Sequence, residues 1–87
     1  MDFEYDPEKS ASNKIKHGID FEEAKRLFDD PDLLVIEATT SGERRYMAIG
    51  RLHARHWTAI FTPRGSKIRL ISVRRSRRSE VGNYESA

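Results

Sequence analysis

The chain has 87 residues, with 16 Lys and Arg, 14 Asp and Glu, 3 His and no Cys. That length fits one domain spanning 1–87, with a core thin enough for a partner to complete. Without Cys there is no disulfide, no thiolate zinc site and no cysteine nucleophile. His17, His53 and His56 alone make a poor metal site, so neither metal nor cofactor is expected. The longest apolar run, Leu33 to Ile36, is four residues, against the roughly 20 that span a bilayer. The N-terminus is acidic and shows no signal-peptide pattern, so the cytoplasm is the expected location and no membrane partner is expected.

The formal net charge of +2 hides a division. Residues 1–43 hold 12 acids and 5 bases, whereas residues 44–87 hold 11 bases and 2 acids, and ten of those bases are Arg. An Arg-rich half can present a field to a polyanion, and guanidinium suits bidentate phosphate contacts. The plainer reading is that the halves pack together and their charges interleave on the surface.

In chain order, Phe3 to Tyr5 reads as a short strand. Asp6-Pro7 opens a helix, with Asp as the cap and Pro at the first position. Ala11 and Ile15 lie four apart on one helix face, the pattern of a buried stripe, and Gly18 ends the helix after Lys14, Lys16 and His17. Asp20 with Glu23 forms a capping-box variant for a second helix, flanked by Ile19 and Ala24 at the staple positions. Phe21, Ala24, Leu27 and Phe28 form its apolar stripe, and Asp29-Asp30-Pro31 ends it. Strands follow at Leu33–Glu37, Arg44–Leu52, Trp57–Thr62 and Ile68–Arg74, with turns at His53-Ala54 and Pro63-Arg64-Gly65-Ser66. Short connections favour an antiparallel meander. Ser76 to Tyr84 reads as a last helix capped by Ser76 and weakened by Gly82. The fold class is α+β, in the order β-α-α-β-β-β-β-α, with both N-terminal helices on one face of the sheet.

Period-two alternation places Lys67, Arg69, Ile71 and Val73 on one face of the last strand and Ile68, Leu70, Ser72 and Arg74 on the other. Basic residues gather near strand ends: Arg44, Arg45, Arg51, Arg55, Arg64, Lys67, Arg69, Arg74 and Arg75. Around an open sheet face they would form a phosphate-binding cleft; on a rim, Arg44 and Arg45 would pair with Glu37 or Glu43 and contribute little. GxGxxG, Walker, HExxH and GxSxG motifs are absent. RNA cleavage needs none of them, because RNA supplies its own 2′-OH nucleophile. It needs a base, an acid and cations at the phosphate. His17 is one candidate, although a helix-ending His also serves simply to bond a carbonyl. Glu80 and Tyr84, four apart on the last helix, are others; Glu80 could instead pair with Arg77, and Tyr84 could pack. His53 and His56 read as surface residues.

Several strings resemble the BrnT family of bacterial toxins: Phe3-Glu4-Tyr5-Asp6-Pro7-x-Lys9, Asn13-x-x-Lys16-His17-Gly18-Ile19-x-Phe21-Glu22-Glu23-Ala24, Asp29-Asp30-Pro31, Gly42-Glu43-Arg44-Arg45-Tyr46-Met47-Ala48-Ile49-Gly50 and Ile68-Arg69-Leu70-Ile71-Ser72-Val73-Arg74-Arg75, with Glu80 and Tyr84 in the tail. The resemblance implies a RelE-like fold and a metal-independent endoribonuclease that inhibits translation. It implies neutralisation by a BrnA-like ribbon-helix-helix antitoxin in a heterotetramer, with operator DNA bound only through the antitoxin. It implies catalytic roles for His17, Arg45, Arg74 and Glu80, with Arg45 and Arg74 as phosphate clamps and His17 or Glu80 as base or acid. Lys16, Arg44, Arg64, Lys67, Arg69, Arg75 and Tyr84 would contact RNA. Two other readings remain open: a nucleic-acid-binding module without catalysis, and a protein-interaction subunit whose Arg face a partner covers.

Overall fold

The computed structural model describes residues 1–38 and 42–87. Its elements run β1 (Asp2–Glu4), α1 (Pro7–His17), α2 (Phe21–Ala24), a 3₁₀ segment (Lys25–Asp29), β2 (Leu34–Ala38), β3 (Arg45–Leu52), β4 (Arg55–Arg64), β5 (Lys67–Arg75) and α3 (Arg78–Ser86). The five strands form one sheet in the order β1-β5-β4-β3-β2. Strands β2 to β5 are antiparallel neighbours. However, β1 lies parallel to β5, so the sheet is mixed rather than the expected pure meander. A strand that leads into α1 and α2 and reaches β5 only through the rest of the chain is not confined to hairpin geometry.

Local chemistry accounts for both N-terminal helices. The Asp6 side chain accepts from the Glu8 N–H at 2.9 Å, and Gly18 takes the left-handed conformation (φ 81°) that closes α1. Asp20 and Glu23 form the full capping box. Its α-helix is only four residues long and tightens into the 3₁₀ segment before Asp30 turns extended. Phe21, Ala24 and Leu27 are fully buried against Ala48, Ala59, Phe61, Leu70 and Val73, with Trp57 and Ile19 at the margin. This is the core face of the sheet. Gly50 belongs to it: a Cβ there would lie 3.0 Å from Leu33 Cδ1 and 3.2 Å from Leu27 Cγ.

Helix α1 departs from the expected apolar stripe. Ile15 is 87% exposed and Ala11 is also exposed, while Ser10 and Asn13 are buried. The reason lies at the margin of the sheet. Strand β1 pairs with β5 only from Lys67 to Arg69, and beyond it Asn13 takes the place of a strand. Its amide donates to the Val73 carbonyl (2.8 Å) and accepts from the Val73 N–H (3.2 Å), and it also donates to the Ile19 carbonyl (2.8 Å). Ser10 Oγ accepts from the Phe21 N–H at 2.9 Å. The helix docks by satisfying backbone groups, so its apolar residues are not needed inward.

The β3–β4 hairpin turns on His53 (φ 54°) and Ala54 (φ 62°), both left-handed although neither is glycine. Such two-residue turns favour Asn-Gly. The double change His53→Asn and Ala54→Gly should therefore raise unfolding stability by about 1 kcal/mol in denaturant titration. Conversely, Asn13→Ala should lower it by about 3 kcal/mol, because buried backbone groups lose their partners.

Candidate functional site

The opposite face of the sheet is where the basic residues meet. Cross-strand register pairs Thr58 with Arg74, Ile60 with Ser72 and Thr62 with Arg69, and Met47 lies beside Ile60 on β3. Between the Ile60 and Phe61 pairings β5 gains one residue, Ile71, a β-bulge. This overturns the strict alternation expected for β5. Leu70 and Val73 both turn into the core, and Arg69, Ser72 and Arg74 share the other face. Without the extra residue, Arg69 and Arg74, five apart, would lie on opposite faces. Alternation from the Tyr46–Phe61 pair puts Arg45 on this face too, and continues it to Arg64 and Lys67 at the β4–β5 turn. Arg45 and Arg74 lie about 13 Å apart along the strands and two strands apart laterally. They do not converge at one point; they flank a common surface floored by the half-buried Met47 and Ile60.

Helix α3 covers the end of this face nearest Thr58. Its expected cap, Ser76, is not the cap. The Ser76 N–H donates to the His56 carbonyl (3.0 Å) and its hydroxyl bonds Thr58 (2.8 Å), so Ser76 prolongs the sheet contact and Arg77 occupies the cap position. The Glu80 side chain accepts from the Arg77 N–H (2.8 Å), from Thr58 Oγ1 (2.9 Å) and from both terminal nitrogens of Arg74 (2.8 Å each). Glu80 is 6% exposed. The Arg74 guanidinium, with the Arg77 N–H and the Thr58 hydroxyl, outweighs burial and holds the Glu80 carboxyl down at about 2. It is therefore ionised at neutral pH, and it fixes the planar fork of Arg74 at the boundary of the open face.

The other predicted residues divide by face and by partner. Arg69 donates to Glu4 at 2.8 Å, Arg45 lies 3.9 Å from Glu43, and Arg64 also lies 3.9 Å from Glu43. Arg44 pairs with Glu37 at 3.6 Å on the rim, as the plainer reading anticipated. Acids from the first half thus interleave with Arg from the second. Arg75 stands on the core side of the sheet, its guanidinium 5.6 Å from the Trp57 ring centre, and so does not share the face of Arg74. Lys16 and His17 are exposed and line a depression of about 160 Å³ with Lys9, Ser12, Asn13, Ile71 and Ser72, which joins the end of α1 to the strand that carries Arg74. Tyr84 is buried, and its hydroxyl donates to Asp30 Oδ2 at 2.7 Å; burial and that carboxylate push its pKa up to about 12. It packs α3 against the sheet and does not reach the open surface. His56, expected at the surface, is half-buried against the Tyr84 ring and bonds Glu85 at 3.2 Å. Thr58 and Ser72 were not anticipated; no motif marks a strand Thr or Ser that register alone places beside Arg74.

A depression of about 390 Å³ beside Pro31, Asp32, Leu34 and Tyr84 carries none of the basic candidates, and a shallower one of about 440 Å³ is lined by Asp30, Arg51, His53 and Tyr84. Among the described residues no three His, Asp or Glu side chains are grouped to hold a metal ion, and no helix is long and apolar enough to cross a membrane.

Because Glu80 titrates lower in the folded than in the unfolded chain, its ionisation stabilises the fold above about pH 4.5 and ceases to do so as pH falls toward 2. The loss on that limb should approach about 3 kcal/mol. In Glu80→Gln the acid limb of a stability–pH profile should be correspondingly shallower.

A search of the curated proteins finds no match to the chain. A family model does match, over residues 5–80, and it describes the ribonuclease toxin BrnT of a type II toxin–antitoxin system. Such membership implies a toxin role and a protein antitoxin as partner. The match runs from Tyr5, just after β1, through the bulged strand to Glu80, the residue that holds Arg74, and over that span the chain belongs to the BrnT family of type II ribonuclease toxins.

Proposed function

We propose that the chain is an endoribonuclease with a RelE-like fold that cleaves RNA in the cytoplasm, without a metal, and thereby inhibits translation. The observation that carries this reading is the bulge at Ile71, because it brings Arg69, Ser72 and Arg74 onto the face that also bears Arg45. In the proposed reaction the RNA 2′-oxygen attacks the adjacent phosphorus as its proton is removed. The bond from phosphorus to the 5′-oxygen breaks, and that oxygen takes up a proton. The products are a 2′,3′-cyclic phosphate and a 5′-hydroxyl.

Arg74, oriented by Glu80, stabilises the added charge on the phosphorane oxygens. Arg45, Arg64, Lys67 and Arg69 hold flanking phosphates on the same face. His17 carries the proton, with Lys16 as electrostatic support beside it. Glu80 acts through Arg74: a carboxylate held at about 2 and engaged by four donor groups is a positioning group rather than a proton carrier near neutrality. The protein partner is a BrnA-like ribbon-helix-helix antitoxin that forms a heterotetramer with the toxin and contacts operator DNA itself. The carboxylates that pair with Arg45, Arg64 and Arg69 within the chain support a partner that covers this face with acidic side chains.

Purified protein should cut single-stranded RNA equally well with and without chelator. Arg74→Ala should slow cleavage by about 10²–10³-fold, and induction of the gene alone should arrest growth where the Arg74→Ala version does not. Steeply salt-dependent RNA binding without any scission would favour the non-catalytic reading instead. His17→Gln should lower the rate with little change in RNA affinity.

A further inference from the structure

Thr58 lies at the centre of β4 and is fully buried, yet its hydroxyl is not idle. It stands directly across from Arg74 in the β4–β5 ladder. Its Oγ1 is 2.9 Å from Glu80 Oε1 and 2.8 Å from Ser76 Oγ. An ionised carboxylate only accepts, so the single Thr58 proton goes to Glu80. Ser76 must then be the donor to Thr58. The result is a directed chain: Ser76 hydroxyl to Thr58 hydroxyl to Glu80 carboxylate, which in turn takes both terminal nitrogens of Arg74.

Three elements meet at Glu80 Oε1. Strand β4 supplies Thr58, β5 supplies Arg74, and the start of α3 supplies the Arg77 N–H. A carboxylate bound only by Arg74 and the helix start could pivot with α3. The buried hydroxyl ties it to β4, the central strand of the sheet. We propose that Thr58 is a positioning residue for RNA scission, its buried hydroxyl, aligned by Ser76, fixing Glu80 and through it the guanidinium plane of Arg74. The inference rests on the reading of Arg74 as the group that meets the scissile phosphate.

The test compares Thr58→Val, which keeps the shape and removes the hydroxyl, with Thr58→Ser, which keeps the hydroxyl. Ser76→Ala, one step further out, serves as the milder variant if Thr58→Val folds poorly. Steady-state cleavage of a short single-stranded RNA should show kcat about tenfold lower for Thr58→Val with KM unchanged. Thr58→Ser should stay within about twofold of the unaltered chain. In parallel, the Glu80 carboxyl is titrated by carbon-detected NMR without RNA. Its midpoint should rise in Thr58→Val and remain near the original in Thr58→Ser. If the unaltered chain cleaves RNA while Thr58→Val retains its kcat, or if the Glu80 midpoint does not move, the positioning role is overturned. If the unaltered chain cleaves no RNA, the role in scission falls with the ribonuclease reading, and the midpoint still reports whether Thr58 fixes Glu80.

Discussion

The geometry of the basic face depends on one extra residue in β5. A strand that carries Arg69 and Arg74 five positions apart must present them to opposite sides if it pairs regularly. The bulge at Ile71 removes that conflict, and it does so while turning both Leu70 and Val73 into the core. Core packing and the shared placement of the basic residues therefore demand the same irregularity. A regular strand would bury one of these apolar residues and expose the other, and it would split the two arginines. Bulges are common where a strand must re-aim a side chain, and here the re-aimed group is Arg74.

The bulged strand also needs support along its outer margin. Strand β1 covers it only as far as Arg69, and Asn13 then binds both backbone groups of Val73. A side-chain amide imitates a peptide group, so α1 is fastened to the sheet by hydrogen bonds where other helices use apolar contact. The consequence for the site is direct. The same clamp that completes β5 brings Lys16 and His17, one turn further along α1, against Ile71 and Ser72.

Electrostatics divides the arginines into two kinds. Arg45 and Arg64 face Glu43 at 3.9 Å on exposed ground, where a pair contributes little and yields readily to a competing anion. Arg74 is different. Its bidentate contact is with a carboxylate that is itself buried and bonded to two further donors. Taking either partner away would strand a charge in a desolvated place. The rim cations thus suit a sliding or exchangeable polyanion, whereas Arg74 is held in one orientation.

Much of this protein is legible in its residues alone. The caps at Asp6 and Asp20, the stop at Gly18, the stripe of Phe21, Ala24 and Leu27, and the order of helices and strands all follow from local rules, because each depends on neighbours a few positions away. The clustered Arg residues are likewise visible in composition, whereas composition left their interleaving with first-half acids as one of two readings. Tertiary structure decided the rest. The inward turn of Ser10 and Asn13 in place of Ala11 and Ile15 depends on an unpaired stretch of a strand some sixty residues away. The sharing of a face by Arg69 and Arg74, the separation of Arg75 from them, and the burial of Tyr84 depend on register. So does the meeting of Thr58, Ser76 and Glu80 beneath Arg74. Register is set by how strands from distant parts of the chain align once a core has formed, and a single inserted residue reverses it, which is why spacing along the sequence could not supply it.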